Sequence, residues 1–199
     1  MAMTKDIGDG CIGDQVQTLE PIHPILEIGC GENPITETTP DVCIKDVDYR
    51  MDVVPFNFVE VSGNTVAIPF RDSSVGSITC QHVAEHHTHA KGNGGAIEGS
   101  LKDFFAEVYR VLKPGGLFEI MCPNFAYIAK FYVTQGVGNV DIAEQLMEWA
   151  MGGQRDQWDF HYCLLDYNIV NRLGMRLGFE SCELMHPFDW FGLHVILRK

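Results

Sequence analysis

The stretch ILEIGCGENP, Ile25 to Pro34, closes an apolar run around an acid and then sets two glycines about a single residue. A strand entering such a turn can bring backbone N–H groups close to a ligand, because glycine allows the approach and the unusual dihedral angles. Dinucleotide-binding turns carry a third glycine, G-x-G-x-x-G, which lets a helix pack closely with its N-terminus toward a pyrophosphate. Here Pro34 holds that position and Pro40 follows. The first helix is therefore expected to be short or absent. The features that remain suit an adenosine-bearing ligand without a phosphate.

Two further stretches could carry chemistry. QHVAEHHTHA, Gln81 to Ala90, holds His82, Glu85, His86, His87 and His89; in a helix, His82, Glu85, His86 and His89 would share a face. GGQRDQWDFHYC, Gly152 to Cys163, brings Gln154, Arg155, Trp158, Asp159, His161 and Tyr162 into one short span. Aromatic walls with a few polar groups are what a small-molecule pocket needs. His161 and His86 are the candidate catalytic bases, since imidazole titrates near neutrality, and Asp159 is a candidate to orient His161. The glycine-rich AKGNGGAIEG, ending at Gly99, is expected to be a mobile cover over the same side.

These residues need elements to position them. Apolar runs predict strands over Ile25–Ile28, Val42–Ile44, Phe56–Val61, Val75–Cys80, Leu117–Cys122, Phe179–Met185 and Leu193–Leu197. Leu101, Phe104, Phe105, Val108, Val111 and Leu112 recur at helical spacing behind a Ser100–Asp103 capping box. Lys113–Gly116, KPGG, is expected to stop that helix and reverse the chain. Further helices are expected over Asp141–Met151 and Asp166–Leu177, the latter ended by Gly178. Strands alternating with helices predict an α/β fold with a mostly parallel sheet, and the short last connection predicts an antiparallel final strand.

Bulk properties narrow the partners. A chain of 199 residues makes one domain, read as residues 21–199 behind a loose leader at 1–20. The net charge of −13 repels phosphate backbones, which argues against nucleic acid. The seven cysteines are odd in number and contain no C-x-x-C pair, which points to free thiols in a reducing compartment. No apolar run is long enough to span a bilayer, and the first residues lack a signal-peptide core. The reading is a cytoplasmic protein with no membrane partner.

Three segments, LEIGCGENP, AIPFRDSSVGSITCQHVAEH and FFAEVYRVLKPGGLFEIMCPN, in this order and spacing, resemble the successive motifs of class I S-adenosylmethionine (SAM)-dependent methyltransferases. The likeness is to the small-molecule methyltransferase-domain type and runs from about Ile25 to the C-terminus. It implies a Rossmann-like fold with a mostly parallel seven-stranded sheet, an antiparallel final strand and helices on both faces. It also implies SAM as cofactor, with Glu27, Gly29, Cys30 and Gly31 around its methionine part. An acid ending the second strand would hold the ribose hydroxyls, with Asp46 the choice and Asp48 the competitor. Asn64, beside Thr65, stands where the family commonly has an acid for the adenine amine, which is a departure. Gln81 and His82 would lie beside the sulfonium. The pattern accounts for His82, Glu85 and His86 without a metal, so none is expected. The N-P-P-Y signature of amide or nucleobase methylation is absent after the fourth strand, which points to O- or N-methylation of a small-molecule acceptor. The alternatives are a SAM-binding regulatory or partner-dependent module without catalysis and, disfavoured by Pro34, a nucleotide-dependent oxidoreductase.

Overall fold

The computed structural model describes residues 20–36, 42–89, 99–155, 157–185 and 191–199. Seven strands form one sheet: β1 Ile25–Ile28, β2 Tyr49–Asp52, β3 Val61–Ser62, β4 Val75–Gln81, β5 Leu112–Pro123, β6 Ser181–Leu184 and β7 Gly192–Arg198. Their order is β3-β2-β1-β4-β5-β7-β6. The first five strands pair in parallel, and β7 runs antiparallel to both β5 and β6. The expected parallel sheet with an antiparallel last strand is present.

The helices are α1 Leu101–Val111, α2 Phe125–Phe131, α3 Val140–Met151 and α4 Tyr167–Leu177. Ser100 caps α1 as expected: its hydroxyl accepts from the Asp103 amide while the Asp103 carboxylate accepts from the Ser100 amide. Gly178 ends α4 in the left-handed conformation, φ 106°. KPGG follows the end of α1 at Val111, as expected, and lies where the chain turns back to run parallel to β4. The helix passes directly into β5, and the extra residues are absorbed where the pairing with β4 slips between Val75 and Ser77.

The two sheet faces differ in chemistry. Leu26, Ile28, Ile78, Cys80, Phe118, Ile120, Val195 and Leu197 make one apolar face, on which α1 lays Phe104, Phe105 and Val108 and α4 lays Val170. Alternation puts Glu27, Thr79, Glu119 and His194 on the other, beside Ile25, Leu117 and Ile196. Ile44 and Val47, from the irregular segment before β2, cover that second face. This segment is coil.

That coil corrects the second strand, expected at Val42–Ile44. Those residues lie over the face because Glu119 accepts from the amides of Cys43 (2.7 Å) and Ile44 (3.0 Å), so their backbone has a partner outside any ladder. The third strand is likewise short, Val61–Ser62, where the alternation from Phe56 predicted a longer one.

Candidate active site at the carboxyl edge of the sheet

Strand order reverses between β1 and β4, and at this switch point open α/β sheets bind ligands. Four strand ends meet there: β1 runs into Gly29–Gly31, β2 ends on Asp52, β3 leads to Asn64 and Thr65, and β4 leads to His82. Together they enclose a cavity of about 440 Å³, a size usual for small-molecule sites. Met51, Val53, Val54, Phe56 and Val83 give it apolar walls, and His86 and Trp158 close its rim.

The two glycines do different things. A Cβ at Gly29 (φ 72°) would strike the side chain of Val83, so this glycine serves the fold. A Cβ at Gly31 (φ 53°) would meet nothing within 4 Å, so this one borders the open cavity. The Gly31 amide donates to Asp52 Oδ2 at 3.0 Å and the Val54 amide to Oδ1 at 2.9 Å. Each carboxylate oxygen keeps lone-pair capacity for a further donor.

Asp52 therefore stands where Asp46 or Asp48 was expected. Asp46 (φ 57°) lies in the loop before β2. Asp48 lies at the opposite edge of the sheet, where Oδ2 accepts from the Ile25 amide (2.7 Å) and pairs with His23 (2.6 Å). These contacts, that amide first, hold its carboxyl below the usual range. Misplacing the second strand moved the acid. Asp52 stands 21 residues after Gly31, and that interval, about 20 residues in dinucleotide folds, was the available signal.

Other expected cofactor residues divide. Asn64, Thr65 and His82 line the cavity with Gly29 and Gly31; Glu27, Cys30 and Gln81 do not. Glu27 lies on the polar sheet face, where Oε1 accepts from the Ile35 amide at 2.8 Å and Arg50 Nε sits 3.3 Å from Oε2. Through these contacts it anchors the loop after β1, and burial raises its pKa. Cys30 is buried beneath the same loop, with its thiol pushed up to about 12 by burial and then by the charges of Glu27 and Asp52. Gln81, the last residue of β4, is half-buried.

A second cavity of about 550 Å³ adjoins the first through His82, His86 and Trp158, and adds Arg155, Asp159 and His161. The residues picked out in Gly152–Cys163 thus do meet the turn after β4. Asp159 does not orient His161, as had been expected: it forms a bidentate pair with Arg155, 2.7 and 3.1 Å. His161 Nδ1 instead donates to the Trp149 carbonyl at 3.1 Å, and His86 Nδ1 to that of Phe160 at 2.8 Å. The two rings meet edge to face, centroids 5.0 Å apart.

QHVAEHHTHA is not a helix but a single 3-10 turn, Ala84–His86. His82 takes a left-handed φ of 51°, the kind of strain found at functional sites. Its Nδ1 lies 3.2 Å from Glu85 Oε1, a contact that raises the His82 pKa. Burial pushes Glu85 up, but the hydrogen bond and charge of His82, with the charge of His86, outweigh it and leave the carboxyl below its ordinary value. His161 is lowered, mainly by burial. His87 is a core residue, stacked on Phe104 and bonded to Thr65 at 2.8 Å. The expected glycine-rich cover falls at 90–98, outside the described residues apart from Gly99.

This arrangement fits SAM: a glycine turn with Pro34 in place of the third glycine, an acid at the end of β2 for a ribose, apolar walls for an adenine, and imidazoles beyond. The sequence profile of the methyltransferase domain family matches residues 26–120. Among solved structures, the chain resembles a SAM-dependent methyltransferase of Thermotoga maritima described as a possible histamine N-methyltransferase. The two are 14% identical over 92% of this chain and 86% of that one, with a TM-score of 0.56. A SAM-dependent methyltransferase of Archaeoglobus fulgidus is 13% identical over 88% and 85%, TM-score 0.55. No curated protein matches the sequence significantly. The fold is the Rossmann-like fold of these methyltransferases, and the profile match over residues 26–120 supports a class I methyltransferase domain, which implies SAM as cofactor.

Proposed function

We propose that this protein transfers a methyl group from SAM to a small-molecule acceptor, at oxygen or nitrogen. The observation that carries the proposal is the junction of the two cavities at His82, His86 and Trp158. A donor in the first and an acceptor in the second would meet at those residues. Bound SAM supplies a methyl group on a sulfonium, activated for in-line displacement. Asp52 receives the ribose hydroxyls, Asn64 and Thr65 border the adenine, and the Gly31 turn gives the backbone room for the methionine part. Trp158 and Phe56 keep water out. His86 and His161 act on the acceptor, and aligning the two reactants accounts for much of the acceleration.

The acidic surface favours a small acceptor over a nucleic acid. A cytoplasmic setting suits a chain in which none of the six described cysteines is in a disulfide. Among the described residues no helix is long and apolar enough to cross a membrane.

Calorimetric titration with SAM and its demethylated product, followed by a labelled-methyl assay over a panel of small alcohols, phenols and amines, tests the reading. Binding of both ligands and transfer to at least one acceptor is expected. Failure to bind SAM would defeat it, and binding without transfer across the panel would favour a SAM-binding module instead.

A further inference from the structure

Glu85 holds a feature that methyl transfer by alignment leaves unexplained. Its side chain is 2% exposed, Oε1 has only the His82 contact at 3.2 Å, and Oε2 has no hydrogen-bond partner. A buried carboxylate oxygen left without a donor is costly. His86 and His161 stand beside it, and one ligand atom from each of the three residues lies within 4.8 Å of the others.

The imidazoles are set up to ligate. A carbonyl can only accept, so the contacts from His86 to Phe160 and from His161 to Trp149 put the proton on Nδ1. The lone pair is then on Nε2 of both rings. Fixing a ligating histidine by a hydrogen bond from its other nitrogen is the usual outer shell of a metal site. The two segments are also tied together: the amides of Tyr162 and Cys163 both donate to the Glu85 carbonyl, at 2.8 and 3.1 Å, and the His161 amide donates to Met151 at 3.0 Å. Three ligands from two separate segments are thereby held in place before any ion arrives.

We propose that Glu85, His86 and His161 bind a divalent first-row transition-metal ion at the seam between the two cavities. Two imidazoles and one carboxylate suit zinc, cobalt, iron or manganese, whereas calcium and magnesium favour all-oxygen sites. Three protein ligands leave positions open, and His86 faces both cavities. The ion's use rests on the methyltransferase reading: a hydroxyl acceptor bound at an open position loses its proton to solvent more easily. Its oxygen lone pair then forms the bond to the methyl carbon as the carbon–sulfur pair returns to sulfur.

The test uses the full chain without an affinity tag, stripped with chelator and titrated with Zn²⁺ and Co²⁺. Expected are about one equivalent bound per chain, visible absorption bands for cobalt, and affinity lower in both Glu85→Gln and His161→Asn. The drop should be at least the roughly 10–100-fold that loss of an outer-shell partner costs. His161 is the more exposed of the two, and circular dichroism on both variants checks that they fold. Asp52→Asn should keep the metal and weaken SAM binding, so failure of the SAM reading and of the metal site are separately visible. Binding well below one equivalent, or equal binding by the native chain and the folded variants, overturns the proposal.

Discussion

Glu119 on β5 and Glu85 in the turn after β4 are both buried carboxylates with histidine neighbours, yet they are built for opposite purposes. Glu119 is fully buried and accepts from four donors: the amides of Cys43 and Ile44, the Thr79 hydroxyl at 3.0 Å and His194 Nε2 at 2.8 Å. Its acceptor capacity is used, and what it holds is the coil that covers the second sheet face. Glu85 has one long contact and an oxygen with none, and it is buried beside His86 and His161. A saturated buried carboxylate fixes structure; one with unused lone pairs beside two imidazoles is poised for a ligand. The group Cys43, Glu119 and His194 also has metal-like proximity, but its carboxylate is already engaged by those four donors.

The largest effect that could break this comparison is on stability. Glu119→Ala should destabilise the fold by about 3–5 kcal/mol, the cost of breaking a buried pair and stranding its partners. Urea denaturation would read it, and an unchanged midpoint would mean that the coil is held by something else. Glu85→Gln should shift stability by no more than about 1 kcal/mol but lower turnover roughly 10–100-fold, the scale of weakening a metal site. If the melting temperature falls as far as in Glu119→Ala, Glu85 is structural too.

Asp52 lies between these extremes, with one backbone donor on each oxygen and its carboxylate on the cavity wall. Asp52→Asn should weaken SAM binding by about 1–3 kcal/mol in a calorimetric titration. Normal affinity would remove it from the ribose. The smallest effect belongs to Asp48, which is bound to the Ile25 amide and His23 at the far edge of the sheet. Its carboxyl is lowered in the folded state, so its stabilisation is present above the ordinary carboxylate range and drains as the pH falls through the folded value. Asp48→Asn should cost at most about 1 kcal/mol at neutral pH, given its exposure, and flatten that acid-side loss. SAM affinity should stay the same; a weakened titration would return Asp48 to the site.

Local signals in the chain were enough for much of this molecule. The apolar periodicity of Leu101–Val111, the Ser100–Asp103 box and the terminating Gly178 all depend on neighbours within a few residues, and each appears as read. The glycine pair after β1, the absence of a third glycine at Pro34, and the meeting of His161 with the turn after β4 were also legible from residue types and order. The acid that lines the cavity was not. Ile44 and Val47 are apolar because they cover a sheet face, not because they lie in a strand, and only Glu119, 75 residues away from Ile44, supplies the partner that keeps them there. That pairing displaced β2 and moved the cavity acid from Asp46 to Asp52. The role of Glu85 was equally hidden, since its sequence neighbours look the same whether its oxygens are satisfied or not. Hydrogen-bond saturation is a count over groups far apart in the chain, so tertiary structure alone decided which buried acid has its oxygens engaged and which one keeps an oxygen without a donor.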